Sequence, residues 1–582
     1  MRTNRKTEEK KMSMSKNIAR LAVTAGLTAA LSFGGVMAPV TMAFAEEATT
    51  TTNSITIKKN NDNGSVKYKA YQIFEADVVD ESGKTDKVVS NVKWATGVND
   101  TTQKAIIKAI NDYNKDEAED MTTDASPQDV ANWLTANITG TTNTTVLKDT
   151  DLLNTLAGLV AKNVNPTNPT GVGEASFGAG TKVSFDKSGY YLFLTDADTL
   201  ASDKSTTGSK NTATSPIYAV VGAGDVEVTE KTSIPTVNKE VREGATWGKV
   251  SDSYIGEELE YKLTGSVASN IDTFTKYEYT FQDHLSVGLE AIKSSVKVTI
   301  NDQVIQPANG YTVDLVDTKN ASGNLTGGQD LTISFSNLKD AAAAAGVTLR
   351  GDSKVVVTYK AKLTDKAEYT ATGNTNDVKL VYSNNPMVEG TGTSTSKRVT
   401  DHVFRLDVTK VEKDNQNQKL EATFQVKMTK EGDTSLETNR WLTQTGGITE
   451  NEKDAGKFKT DKETGKIYIP GLVEGTYEIT ECNTPAGYNT LAPFTITVKP
   501  KYNADGNLQS LDVTSSNTEM VTSSATNDAT IPVTIQNKKG SNLPLTGLNG
   551  VTFTWIAGGA VLCIGVAHLI RSRKQAEESE QE

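Results

Sequence analysis

Short runs in which apolar and polar residues alternate recur along this chain, and they constrain its fold more than any other feature. Ser54-Ile55-Thr56-Ile57-Lys58, Lys354-Val355-Val356-Val357-Thr358-Tyr359 and Phe494-Thr495-Ile496-Thr497-Val498 are examples. Period-two alternation rich in β-branched residues reads as strands with one face buried. Gly- and Asn-containing turns separate the runs, and many short strands joined this way predict β-sandwiches. The expected fold class is mainly β, a tandem array of immunoglobulin-like sandwich domains. Helical patterns enter in the first region. Residues 104–113 set Ile106, Ile107 and Ile110 on one side. Residues 127–138 follow Ser126, a plausible cap, and open with Pro127 at the first helical position. Residues 151–162 carry Leu152, Leu153, Leu156, Leu159 and Val160.

Both ends read as processing segments. Lys10, Lys11, Lys16 and Arg20 lead into an apolar stretch at 21–40, and Ala43-Phe44-Ala45 supplies a small-x-small pattern. That is the order of a secretory signal peptide, so residues 1–45 are expected to be cut away between Ala45 and Glu46. At the other end Leu543-Pro544-Leu545-Thr546-Gly547 precedes an apolar stretch, 551–570, and then Arg571, Arg573 and Lys574. An apolar run of about 20 residues spans a bilayer as a transmembrane helix, and the basic residues hold its end on the cytoplasmic side. Motif, span and basic stop in this order resemble the LPxTG cell-wall sorting signal of Gram-positive surface proteins, the substrate of sortase transpeptidases. The resemblance implies cleavage between Thr546 and Gly547, transfer of the Thr546 carbonyl to an amine, and only transient membrane retention by the helix. The acidic extension at 577–582 departs from that pattern, and nothing in the sequence explains it.

Composition narrows the function. The net charge is -12, with acidic and basic residues interspersed. This argues against nucleic acid and fits a secreted, soluble surface. Of the two cysteines, Cys563 lies in the apolar span, which leaves Cys482 alone in the exported part with no internal disulfide to form. Durability must then come from some other device. The three histidines are His284, His402 and His568. No Gly-x-Ser-x-Gly elbow and no His-Glu-x-x-His occurs, and His284 beside Asp283 reads as a strand-end residue, so a hydrolase is disfavoured. A carboxylate pair remains open on sequence grounds. Asp62-Asn63-Gly64 and Asp414-Asn415-Gln416-Asn417 read as turns rather than calcium loops. No metal and no cofactor is expected.

The domain organisation expected is 1–45 signal peptide, 46–232 first domain, 233–402 middle sandwich, 403–540 third sandwich and 541–582 sorting signal. Pro235 and the polar stretch 391–400 mark junctions. The third region holds Leu406-Asp407-Val408-Thr409-Lys410-Val411-Glu412 near its start. Later come Tyr477-Glu478-Ile479-Thr480-Glu481-Cys482-Asn483-Thr484-Pro485-Ala486-Gly487-Tyr488, and the region ends on Val533-Thr534-Ile535-Gln536-Asn537. These segments resemble the first strand, the E-box and the last strand of the collagen-adhesin B-type domain. The resemblance implies an intramolecular isopeptide bond between Lys410 and Asn537, assisted by Glu481. The chemistry has a physical basis. Burial among apolar groups lowers a lysine pKa and raises that of an acid. A neutral amine can then attack the carboxamide carbon, with the protonated acid hydrogen-bonded to the amide oxygen and later helping ammonia leave.

A parallel set lies in the middle region. Ile234-Pro235-Thr236-Val237-Asn238-Lys239-Glu240-Val241 places a lysine in a first strand, and Tyr279-Thr280-Phe281-Gln282-Asp283-His284-Leu285 ends a strand with an acid. Gly373-Asn374-Thr375-Asn376-Asp377-Val378-Lys379-Leu380-Val381-Tyr382-Ser383-Asn384-Asn385-Pro386 resembles the asparagine-bearing strand of the middle domain of backbone pilins. The set implied is Lys239, Asn376 and Asp283, with Asn374 as a competing acceptor that the spacing leaves open. Such bonds are expected to join the first and last strands of each sandwich. The first region shows no comparable set.

Val226-Glu227-Val228-Thr229-Glu230-Lys231-Thr232-Ser233-Ile234-Pro235 places Lys231 just before the Pro-containing entry to the middle domain. That is where family pilins carry the lysine that accepts the next subunit, although the strict Tyr-Pro-Lys form is replaced by Thr229-Glu230-Lys231. Tyr68-Lys69-Ala70-Tyr71-Gln72-Ile73-Phe74 and Gly189-Tyr190-Tyr191 resemble the first pilin domain. The whole chain therefore resembles the backbone subunit of a Gram-positive sortase-assembled pilus, a structural material rather than an enzyme. The partners implied are a pilin-type sortase, a housekeeping sortase with peptidoglycan, identical subunits, accessory pilins and host surface receptors. The alternative is a monomeric wall-anchored adhesin or minor pilus subunit.

Overall fold

The computed structural model describes residues 53–540, apart from 60–65, 81–86, 115–120, 139–142, 201–211, 231, 320–321, 323–324, 388, 433–436 and 525. The expectations placed on Ala45, Glu46, Lys231, Leu543–Gly547 and the apolar span lie outside the described residues.

Within each strand the alternation seen in the sequence becomes an alternation of burial. In Lys354–Leu363, Val355, Val357, Tyr359, Ala361 and Leu363 face inward. In Asn374–Ser383 every second side chain from Asn374 to Tyr382 is buried. The reason is the pleat: successive Cβ atoms point to opposite faces of a sheet, so one parity meets the facing layer and the other meets water.

The strands sort into pairs of sheets along the chain. The first group has a three-stranded sheet in which Asn53–Lys58 lies between Lys182–Ser184 and, in parallel, Gly224–Thr229. Beside it stands a five-stranded sheet built on the long strand Lys67–Asp80. Three helices, Asp100–Tyr113, Pro127–Asn137 and Asn143–Asn163, pack on this group through Ile106, Ile110, Val130, Leu153 and Leu156. The second helix starts on a capping box between Ser126 and Asp129, with Pro127 where a proline's missing N–H costs nothing. The third is longer than the apolar periodicity at 151–162 suggested, because residues from Asn143 onward extend its N-terminal end.

The middle group is a sandwich of six- and seven-stranded sheets around Tyr261, Tyr279, Phe281, Val357, Leu380 and their neighbours. The third pairs a four-stranded sheet with a seven-stranded one around Leu406, Phe424, Ile479, Phe494 and Ile535. Among the described residues no sheet mixes strands from two of these groups. Contacts between groups are made by loops, by strand edges and by the third helix, whose Asn154 amide donates to the Thr273 carbonyl. The Glu474 backbone N–H donates to the Asp252 carboxylate, the His402 ring bonds the Gly506 carbonyl at 2.8 Å, and the Ala213 N–H donates to the Asn384 carbonyl at 2.6 Å.

Candidate functional site

Two buried lysines dominate the chemistry of this chain. Lysine is almost never fully buried without a partner, yet Lys239 is 2 % exposed and Lys410 is 0 % exposed. Each sits at an inward parity position in its strand, flanked by Val237 and Val241 in Val237–Glu243 and by Val408 in Phe404–Glu412. The acids and amides obey the same rule. Asp283 follows Tyr279 and Phe281 on the inner face of Tyr279–Leu285, Glu481 follows Tyr477 and Ile479 in Gly475–Asn483, and Asn537 follows Val533 and Ile535 in Thr530–Asn537.

The third sandwich brings Lys410, Asn537 and Glu481 together. The strands Phe404–Glu412 and Thr530–Asn537 run parallel as neighbours in one sheet, with Lys410 opposite Ile535 and Glu412 opposite Asn537. The Lys410 Nζ donates to Asn537 Oδ1. Glu481 reaches in from the opposite sheet, its Oε1 3.1 Å from Lys410 Nζ. The Asn537 amide nitrogen donates to Glu481 Oε1 and Oε2 at 2.9 and 3.1 Å, and the Leu491 N–H donates to Oε2 at 2.8 Å. Here the geometry differs from expectation. The acid faces the nitrogen that would leave as ammonia, not the amide oxygen, because the ammonium occupies the oxygen. The Phe424 ring, 5.3 Å from Nζ, closes the site on an apolar side. Burial pushes the Lys410 pKa down to about 8, against the opposing pull of Glu481.

The middle sandwich brings together Lys239, Asn376 and Asp283. Lys239 Nζ pairs with Asp283 Oδ1 and lies 2.7 Å from Asn376 Oδ1. Burial again pushes the lysine down to about 8 and raises the Asp283 carboxyl, with the Lys239 charge opposing that rise. Both directions favour a neutral amine beside a protonated acid, the state in which an amine is nucleophilic. The expected strand geometry needs correction in this domain. Lys239 is in the six-stranded sheet, and Asn376 is in the seven-stranded sheet on Asn374–Ser383, which Thr391–Thr393 and Lys397–His402 follow. The contact therefore crosses between the two layers and does not involve the last strand.

Asn374 and Asn376 share parity, but only one meets the lysine. The Asn374 Oδ1 accepts from the Glu368 N–H at 2.9 Å, and its Nδ2 donates to the carbonyls of Glu368 and Asp401 at 3.4 and 3.3 Å. It staples the incoming loop to the strand end. Asn374→Ala is expected to leave any Lys239 cross-link intact, and Asn376→Ala to abolish it. Tryptic mapping of the two variants checks this.

Tyr359 belongs to the middle set and was not singled out from the sequence. Its hydroxyl is 2.6 Å from Asp283 Oδ2, 2.7 Å from Asn376 Nδ2 and 3.3 Å from Lys239 Nζ. The signal was available in Lys354-Val355-Val356-Val357-Thr358-Tyr359, whose parity puts a phenol among inward valines. The Asp283-His284 pair does not act together: Asp283 points inward, while the exposed His284 Nδ1 lies 2.8 Å from Asp330.

Residues 404–517 match the SpaA prealbumin-like fold domain family. No curated protein sequence matches the chain. Among solved structures the chain is similar to the T6 backbone pilin of Streptococcus pyogenes serotype M6, at 15 % identity and a TM-score of 0.47, covering 86 % of this chain and 100 % of that one. It is also similar to the Corynebacterium diphtheriae major pilin SpaA, at 16 % identity and a TM-score of 0.41 over 84 % of this chain and 100 % of that one. The full-length major pilin SpaD of the same organism gives 13 % identity and a TM-score of 0.41 over 84 % and 98 %. The family match takes in the strands that carry Lys410 and Glu481 and stops before the strand that carries Asn537.

Proposed function

We propose that this chain is the structural shaft subunit of a covalently polymerised surface pilus. The observation that carries the reading is the pair of buried lysine, asparagine and acid sets, each assembled from strands far apart in sequence. A buried ammonium held by an acid and an amide costs desolvation that a plain apolar core avoids. Two such sets in one exported chain without a disulfide have a ready purpose as sites of Lys–Asn condensation. Proximity inside the folded sandwich supplies much of the rate for so poor an electrophile. The amine and the amide of each set are consumed in a single event while the acid stays in place, so the chain is self-processing material, not a turnover enzyme.

Polymerisation in this reading is an acyl transfer. A pilin-type sortase cleaves Thr546 from Gly547 and holds the Thr546 carbonyl as a thioester on its own cysteine. The neutral amine of Lys231 on another copy attacks that carbonyl, expels the thiolate and leaves an inter-subunit amide. A housekeeping sortase would transfer the last subunit to peptidoglycan. Accessory pilins and host receptors are further partners of such a fibre. Support for Lys231 comes from its place in the chain. It follows Glu230, which is buried and accepts from the Tyr68 hydroxyl, so the strand end before it is anchored.

The test uses cell-wall extracts on a denaturing gel, with Lys231→Ala beside the wild type. A high-mass ladder that collapses to one band in the variant is the expected result. A ladder that persists removes Lys231 as the acceptor, and a single band already in the wild type favours the monomeric adhesin. Each internal condensation should also lower the intact mass by roughly 17 Da, the ammonia lost.

A further inference from the structure

The two sets reach the departing nitrogen differently. In the third sandwich Glu481 accepts directly from the Asn537 amide nitrogen. In the middle sandwich the acid is an aspartate, one methylene shorter, and the Asn376 amide nitrogen donates to the Tyr359 hydroxyl instead, at 2.7 Å. That hydroxyl donates to Asp283 Oδ2 at 2.6 Å and takes a hydrogen bond from Lys239 Nζ at 3.3 Å. One phenol oxygen thus stands within hydrogen-bond reach of the nucleophile, the acid and the leaving group. The ring is held in place by Tyr261, stacked on it at 5.3 Å between centroids with 19° between planes, and is buried.

We infer that Tyr359 is a catalytic residue of the middle domain, the proton bridge between Asp283 and the amide nitrogen of Asn376. This rests on the reading that Lys239 and Asn376 condense. Lys239 passes one ammonium proton to the Tyr359 oxygen as the phenol proton moves to Asp283 Oδ2, which gives a neutral amine and a carboxylic acid. The amine nitrogen attacks the Asn376 Cγ. A second Nζ proton goes to Asp283 Oδ1, while the Oδ2 proton returns through the Tyr359 hydroxyl to the amide nitrogen. The C–N bond then breaks, and the electron pair leaves with NH3. Of the three ammonium protons, one stays on the new amide, one departs in ammonia and one remains on Asp283. Tyr359 ends unchanged.

The experiment follows the Lys239–Asn376 and Lys410–Asn537 cross-linked tryptic peptides during pulse-labelled cell-free synthesis of the full chain. Tyr359→Phe keeps the ring and the stack on Tyr261. It should slow the 239–376 link by about 100-fold or more, the usual scale for a positioned proton donor, with the 410–537 link at its wild-type rate. A 239–376 link formed at an unchanged rate overturns the role of Tyr359. A wild-type chain that never forms that link sinks the parent reading instead. If the Phe variant loses the protease resistance of its middle domain, 3-fluorotyrosine incorporated throughout decides. It acidifies the phenol at nearly constant size. A changed rate and pH profile at 239–376 alone supports the bridge, and equal rates at both sites refute it.

Discussion

Glu481→Ala should leave the third sandwich without its cross-link and lower its thermal midpoint by about 15 °C or more. Two effects add. The Lys410–Asn537 connection spans 127 residues. Closing a loop on the order of 100 residues removes about 4–5 kcal/mol of chain entropy from the unfolded state, by analogy with a disulfide. The variant also leaves Lys410 buried without its carboxylate, which costs a few kcal/mol or forces the amine to stay neutral. Differential scanning calorimetry with peptide mapping measures both. A variant that keeps the cross-link, or one that loses it with an unchanged midpoint, contradicts this account. Asp283→Ala should produce the same pattern in the middle sandwich, where Lys239 spans 137 residues to Asn376.

The second large effect is mechanical. In the third sandwich the first and last strands are parallel, so the chain enters at the Phe404 end of the pair and leaves at the Asn537 end. Tension along the chain shears that pair. A Lys410–Asn537 bond carries the load across at residue 410 and shields 411–536. A Lys239–Asn376 bond likewise shields 240–375. Stretching single molecules by their ends should therefore show no length gain from either shielded segment. In a Lys239→Ala, Lys410→Ala double variant, two new extensions should appear. Each should be on the order of 400 Å, the extended length of the released segments at about 3.3–3.6 Å per residue. Identical traces from the two proteins would remove the covalent shortcut. With Lys231 as acceptor and Thr546 as donor, the first group of strands lies off the load path between subunits.

Much of the candidate site was legible in the chain. The resemblance picked out Lys239, Asp283, Lys410, Glu481 and Asn537, and each also continues an apolar parity series, where a polar or charged side chain must be buried with a partner. The helices were legible through caps and apolar spacing, although the reach of Asn143–Asn163 was underestimated because its first turns lack an apolar stripe. Tyr359 was missed because an inward tyrosine in a β-run looks like core, and only its hydroxyl partners distinguish it.

What the sequence determined by itself is local: strand periodicity, the inward parity of each reactive side chain, and the supply of amine, amide and acid. The tertiary structure decided the rest. It chose Asn376 over Asn374, ran the middle contact across two layers rather than between terminal strands, turned the Asn537 nitrogen toward Glu481 and set a phenol between Asp283 and its amide. The physical reason is that parity repeats every two residues along one strand, so neighbours on the chain fix it. Which inward groups meet depends on how separate strands register and how sheets about 10 Å apart are laid on each other. No local pattern encodes that choice.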